Sequence, residues 1–365
     1  MSRPIALVLP SFGSGGAERV VLNLAAGLAT RGETVRLIVL DGRGPLRDQV
    51  DPRVEIVDLG RRRARTAAVR LARELRRRSP SVLMSSQTHL HVLLALLRPL
   101  LPSTIRLVLR EPAFRPDDAS SAWSRRVRSW ALGRADAVIA SSETMRAQLT
   151  RMLGPGTCVV AIPNPVDITG LRSGAVRGTN MPGAHHASGD SGTRAVIVGR
   201  LVGVKGHADL LEAMARPGAR NVSLTVIGDG PLRAQLEQQM ERLGLGGRVR
   251  FVGHIDLRDQ LAAVVAHADV LVHPSHAEGM PNTVLEALAL GTPVLATSDL
   301  PTLVELAGDV DTDAVQLVAR QSLSGALGAT PRQDGMVPRP SLLPPHFATD
   351  AVIERLLSVI RPEHP

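Results

Sequence analysis

The 365-residue chain has one cysteine, no tyrosine, four phenylalanines and two tryptophans. A lone Cys158 excludes an internal disulfide and any multi-cysteine metal site, and a cytoplasmic location is the expectation that follows. Scarce aromatics leave little on which single-stranded bases can stack. No zinc-finger, basic-zipper or RNA-recognition signature replaces them, so nucleic acid is not an expected partner. Long apolar runs are missing too. The most apolar stretch, residues 92–101, spans about ten residues and contains Arg98, whereas crossing a bilayer takes roughly 20. The opening Ser2-Arg3-Pro4, five apolar residues and Pro10 reads as the approach to a buried strand, not as a secretory leader.

What is present is a globular composition, 44% hydrophobic and 21% charged, over a length that suits two domains. The formal net charge is +9, unevenly spread. Residues 1–165 hold 26 Lys and Arg against 13 Asp and Glu, and the remainder 17 against 21. A basic half joined to an acidic half implies that the first faces something anionic, and a membrane surface or an anionic substrate fits better than nucleic acid.

Short apolar runs at 5–9, 34–40, 81–84, 105–109, 137–140 and 158–162 alternate with amphipathic helical stretches. This alternation predicts a parallel sheet covered on both faces. Residues 164–193, rich in Gly, Ser, Thr and Pro and including His185-His186, read as a linker with a flexible insertion. A second alternation runs from 195 to 296, the signal fades over 309–345, and a last helix covers 349–360. The expected fold class is α/β, with two facing Rossmann-like doubly wound domains and a cleft between them. Their bounds are 1–165 for the acceptor side, 166–193 for the linker and 194–345 for the donor side. Residues 346–365 form a closing helix that packs back on domain one. Strand C-termini of such sheets bind ligands, but the skeleton also suits a dehydrogenase or a binding protein.

Three stretches carry chemistry. Gly13, Gly15 and Gly16 follow the first strand and open a helix, which makes either an anion site or a plain tight turn. Glu18 stands where a dinucleotide fingerprint needs its third glycine, so NAD is not expected. Arg200 and Lys205 flank the turn after the strand at 195–198, where two cations can neutralise a diphosphate without a metal, or form a solvated surface pair. Gly228 and Gly230 make another glycine turn, with Pro231 after it. The third stretch runs from His273 to Ala287. Pro281 suits a first helical position, which would leave the amides of Asn282, Thr283 and Val284 as donors, and Gly279 and Met280 precede it. Glu278 before the helix and Glu286 inside it would repel phosphate and suit the hydroxyls of a sugar and a ribose. A metal reading of His273, His276 and Glu278 lacks a fourth ligand. His89 and His91 follow the strand at 81–84 and are either core histidines or site residues, His91 the better candidate.

Taken in order, these motifs resemble a family 4 glycosyltransferase of the GT-B fold over residues 4–167 and 194–306. The resemblance rests on Gly15-Gly16-Ala17-Glu18-Arg19, Asn164-Pro165-Val166-Asp167, Val198-Gly199-Arg200-Leu201 with Lys205-Gly206, Gly228-Asp229-Gly230-Pro231-Leu232, and above all on Glu278 and Glu286. It implies transfer of a hexose from a nucleotide-diphosphate sugar with retention, no cofactor and no catalytic metal, and a uridine rather than guanosine donor. It implies that Arg200 and Lys205 hold the diphosphate, that Glu278 and the amides after it hold the sugar, and that Glu286 binds ribose. Gly15 and Gly16 would approach the phosphates or acceptor, with His91 near the reacting sugar. The expected role is cell-envelope polysaccharide or lipid-linked glycan assembly on the inner membrane face. A sugar-nucleotide epimerase, a natural-product glycosyltransferase and a non-catalytic nucleotide-sugar-binding protein are the alternatives. The stretch 168–193 departs from the helical entry to domain two usual in the family, and 307–345 lacks its pattern.

Overall fold

The computed structural model describes residues 3–13, 15–61, 64–113, 122–179, 192–333, 335 and 337–361, with backbone alone for 64 and 65. Chain contacts divide it into two units, one of residues 1–165 and 346–365 and the other of 166–345.

The first unit runs β1 (Ile5–Ser11), α1 (Gly16–Thr30), β2 (Val35–Asp41), β3 (Glu55–Asp58), α2 (Ala64–Arg77), β4 (Val82–Ser85), α3 (Thr88–Leu97), β5 (Arg106–Arg110), α4 (Ala122–Leu132), β6 (Ala137–Ala140), α5 (Glu143–Leu153) and β7 (Val159–Ala161). All pairings are parallel, in the order β3-β2-β1-β4-β5-β6-β7. The short apolar runs become central strands because both faces are covered. Ile5, Leu7 and Leu9 pack with α1 on one face, and Ala6 and Val8 pack with α2 and α3 on the other.

The second unit runs α6 (Ile168–Gly178), β8 (Thr193–Val198), α7 (His207–Ala215), β9 (Val222–Ile227), α8 (Arg233–Arg242), β10 (Val249–Gly253), α9 (Arg258–His267), β11 (Val270–His273), α10 (Asn282–Ala289), β12 (Val294–Thr297), α11 (Pro301–Asp309), β13 (Val315–Val318) and α12 (Leu323–Ala329). Its parallel order is β10-β9-β8-β11-β12-β13. The final helix, α13 (Thr349–Ile360), belongs to the first unit, where Ile353 and Leu356 join the core beneath α1. A side chain at Gly27 of α1 would meet Ile353 Cγ1 at 2.6 Å, so the two helices pack through a glycine.

Two doubly wound parallel sheets are as expected. Three stretches are not. Residues 168–178, expected as linker, form α6, capped by Asp167 accepting from the Gly170 amide at 2.9 Å. Its glycines weaken the helical pattern for a packing reason. A side chain at Gly174 would meet Asp259 Oδ1 at 2.3 Å, and one at Gly178 would meet the Asp259 carbonyl at 2.1 Å, both on α9. The residues His185-His186 lie outside the described residues. The faded stretch holds β13 and α12, and short β3 at the sheet edge has too few buried residues to stand out.

In both sheets the chain reverses its order of winding at one place, between β1 and β4 and between β8 and β11. There the loops leaving adjacent strands diverge to opposite faces and leave a crevice at the carboxyl ends.

Candidate functional site

In the second unit, β8 ends at Val198 and the chain continues through Gly199, exposed Arg200 and buried Leu201. The β9 turn packs backbone to backbone against this segment. The Leu201 amide donates to the Asp229 carbonyl at 3.0 Å and the Leu232 amide to the Leu201 carbonyl at 3.2 Å. Gly228, at φ +138°, would place a side chain 1.9 Å from the Gly199 carbonyl, and Gly230 one 2.5 Å from the Leu201 carbonyl. These two glycines thus have a packing reason, which is to support the Arg200 loop.

Lys205 closes the turn before α7. Gly206 follows at φ +70°, its Cα turned to the Pro274 carbonyl, where a side chain would come within 2.1 Å. That close approach lays the loop leaving β8 against the loop leaving β11. Lys205 Nζ meets Glu278 Oε1, and Ser275 Oγ donates to the same oxygen at 3.2 Å. The side chains are 27% and 16% exposed. Lys205 is the only lysine among 43 basic residues, the other 42 being arginine. Its ammonium is a compact point charge, where an arginine would present a planar fork.

Two buried histidines border the pair. Burial pushes His273 and His207 down to about 4, so both rings are neutral near neutrality. His273 Nε2 lies 3.9 Å from Glu278 Oε1 and, like both ring nitrogens of His207, has no hydrogen-bond partner. His276 turns away, its Nε2 2.9 Å from Asp209 Oδ2. His273, His276 and Glu278 therefore do not converge. Among the described residues no three of His, Cys, Asp or Glu are grouped to hold a metal ion.

Pro281 precedes α10 as its cap residue, in extended conformation, and not as its first helical residue. Its carbonyl accepts from the amides of Val284 at 3.1 Å and Leu285 at 3.3 Å. This corrects the expectation that Val284 offers a free amide, because the helix starts one residue later and its first turn is tight. Asn282, Thr283 and Glu286 are half-buried and Met280 is buried. Thr302 Oγ1 donates to the Gly279 carbonyl at 2.8 Å and holds the loop before α10 in place.

Gly15, Gly16 and His91 lie in the first unit. Gly15 caps α1, and a side chain there would meet Glu18 Oε2 at 2.3 Å. Glu18 folds over the helix start and accepts from Gln87 Nε2 at 2.7 Å, joining the ends of β1 and β4. The chain's own carboxylate thus faces the positive end of α1. The exposed ring at the start of α3 is His89. His91 is 1% exposed, with Nε2 3.2 Å from the Ser85 carbonyl and Nδ1 3.8 Å from Glu111 Oε2. Burial drives His91 down to about 3 and the Glu111 carboxyl up, so this contact joins two groups whose charged forms are disfavoured, although Arg128 lies 3.0 Å from Glu111. Arg110, pushed down to about 10 by burial, donates to Asn164. Arg110 and Glu111 escape sequence reasoning, while Arg128, expected with Arg125, Arg126 and Trp130 in an outward basic patch, turns to Glu111 instead. The one signal is a charged pair ending an apolar run at 105–109.

The chain is similar to known proteins in sequence and in fold. Residues 14–169 match the model of Glycosyltransferase Family 4, and residues 185–317 that of Glycosyl transferases group 1. The chain is 34% identical to glycogen synthase of Mycobacterium tuberculosis over 187 residues, 49% of this chain and 42% of that one. It is 46% identical over 102 residues to the lipopolysaccharide core biosynthesis glycosyltransferase LpsE of Rhizobium meliloti, 27% of this chain and 28% of that one. It thus spans less than half the length of these two relatives. HepE of Anabaena, solved in complex with UDP and glucose, shares the fold with a TM-score of 0.72 at 19% identity, over 98% of this chain and 95% of that one.

The buried histidines make stability depend on pH with a definite sign. Each is depressed in the folded chain, so its contribution is complete above the unfolded value near 6.5 and is lost as pH falls toward 4, or toward 3 for His91. Below about pH 6.5 each histidine should cost about 1.4 kcal/mol of stability per pH unit. Urea unfolding of His91→Gln between about pH 6 and about pH 5 should show a slope shallower by that amount. Equal slopes in parent and variant would mean that His91 is not held neutral.

Proposed function

Because the chain belongs to the family 4 glycosyltransferases and carries their GT-B fold, we propose that it transfers a hexose from a nucleotide-diphosphate sugar to a hydroxyl acceptor with retention. The observation that carries this reading is the pairing of the sole lysine with Glu278 at the winding reversal between β8 and β11. A cation for a diphosphate and a carboxylate for sugar hydroxyls stand side by side there, as a nucleotide sugar requires. Lys205 and Arg200 take the diphosphate oxygens, and Glu278 with the start of α10 takes the sugar. Glu286, one helical turn further, takes the ribose. Donor binding exchanges the Lys205–Glu278 contact for two contacts to one ligand.

The bond between the anomeric carbon and the diphosphate oxygen breaks, and the acceptor oxygen bonds to the same face while its proton passes to the departing diphosphate oxygen. Negative charge grows on the departing diphosphate, where fixed cations stabilise the transition state more than the ground state. Those cations make transfer independent of metal. A uridine donor is supported by the UDP that HepE holds.

Removing the ammonium tests this. Lys205→Ala should bind nucleoside diphosphate roughly 10- to 150-fold more weakly, the loss of one charge-assisted contact. Transfer by the parent should survive strong chelation. Affinity unchanged in Lys205→Ala would place the diphosphate elsewhere, and activity abolished by chelator and restored by magnesium would overturn the metal-free reading.

An envelope role on an anionic membrane surface is supported by the helical layer α2–α3–α4. Ala67, Leu71 and Leu75 of α2 are buried in the core, so the apolar side of this arginine-rich helix packs on the sheet. Beyond it, Val69, Leu96, Leu100, Trp123 and Trp130 are exposed, and they are the exposed large hydrophobic residues of the first unit among those described. Arg73, Arg76 and Arg77 line a groove with Val69 and Leu100, and Arg134 lies 5.3 Å from the Trp130 ring centroid. The flanking Arg62 and Arg63 lie outside the described residues, as does the side chain of Arg65. No helix among the described residues is long and apolar enough to cross a membrane. Each arginine near anionic lipid adds about 1 kcal/mol, screened by salt. The protein should bind anionic vesicles, release at high salt and ignore neutral ones, and Gln at 73, 76 and 77 should weaken binding without changing nucleotide affinity. Equal binding to both vesicle types, or to neither, would favour a soluble acceptor.

A further inference from the structure

Arg320 stands just beyond β13, in the stretch where the sequence pattern fades. Its Nη1 donates to the Pro274 carbonyl at 2.7 Å and to Asp209 Oδ2 at 2.9 Å. Its Nη2 donates to Asp299 Oδ2 at 2.6 Å and to Thr297 Oγ1 at 3.4 Å. Pro274 opens the loop that carries Glu278. Asp209 lies in the first turn of α7, four residues past Lys205, and Thr297 and Asp299 stand at the end of β12. One guanidinium therefore joins segments at the carboxyl ends of β8, β11 and β12 to its own at the end of β13. Asp209 also meets His276 Nε2 at 2.9 Å, and the His276 amide donates to the Val204 carbonyl at 2.8 Å. The ring between the Lys205 loop and the Glu278 loop is closed.

An exposed ion pair between two side chains adds little to stability. This network differs in two respects. One acceptor is a main-chain carbonyl of the loop that presents Glu278. The planar fork also meets four acceptors on three segments, which a lysine at that position would not. Arg320 makes no contact with Lys205 or Glu278 themselves, so it acts through the backbone between them. Without it, Asp209 and Asp299 lose their shared cation and the Pro274 carbonyl loses its donor.

We propose that Arg320 is a positioning residue for the donor pocket: by tying Pro274 to Asp209 and Asp299 it sets the separation between the Lys205 ammonium and the Glu278 carboxylate. The inference rests on the reading of Glu278 as a sugar contact. The test is a double-mutant cycle on the full chain, with calorimetric affinity for nucleoside diphosphate and for nucleotide sugar. Arg320→Gln should weaken nucleotide-sugar binding roughly tenfold or more and nucleoside diphosphate less, and Arg320→Lys should not restore it. In a Glu278→Gln background the extra loss should vanish, since the two residues act through one element. The same loss in both backgrounds, or none in either, overturns the proposal. If Arg320→Gln does not fold, Asp299→Asn keeps the guanidinium, frees one anchor and should show the same coupling. Hydrogen exchange across 274–280 provides a readout independent of the ligand. It should rise in the variant, and unchanged exchange overturns the proposal even in a chain that binds no nucleotide sugar, a result that would separately refute the pocket's assignment.

Discussion

A lysine ammonium held against a glutamate carboxylate organises the second unit's site, and both charges depend on the order of the sheet. Lys205 and Glu278 are 73 residues apart and meet because β8 and β11 are neighbours where the winding reverses. Their side chains are largely withdrawn from water, so each needs the other or a ligand of matching charge. The supporting structure keeps the two loops close. Gly206 admits the Pro274 carbonyl, Gly228 and Gly230 admit the Arg200 segment, and Arg320 ties the loop ends from behind. Buried His273 and His207 stay neutral and add no competing cation.

The first unit has the same architecture and handles its charges differently. Its glycine turn is faced by Glu18, its buried histidine is neutral, and Glu111 is screened by Arg128. Where the second unit presents a cation and an anion side by side, the first presents a carboxylate at its helix start.

Most of the skeleton was legible in the sequence, and so were the residues that meet at the candidate site of the second unit. Strand and helix alternate with different periods, and Glu278 and Glu286 stand at a helix start with seven residues between them. The pairing of Lys205 with Glu278 was not legible, because it depends on which strands are neighbours. The composition sets Lys205 apart only as the one lysine beside 42 arginines. Helix α6 was hidden because Gly174 and Gly178, which suggest flexibility, are there for close packing on α9. His91 looked like a site residue from its place after a strand, but the helical phase turns it inward to Ser85. Arg320 is one arginine among many until four acceptors surround it.

The most direct test of a sugar-nucleotide site, as opposed to a general anion site, compares two ligands in two variants. Binding of nucleoside diphosphate and of the complete nucleotide sugar would be measured by calorimetry in Glu278→Gln and Glu286→Gln. The account predicts that Glu286→Gln weakens both ligands, because both carry the ribose. Glu278→Gln should spare the nucleoside diphosphate and weaken the nucleotide sugar. Identical effects of the two substitutions on the two ligands would contradict it.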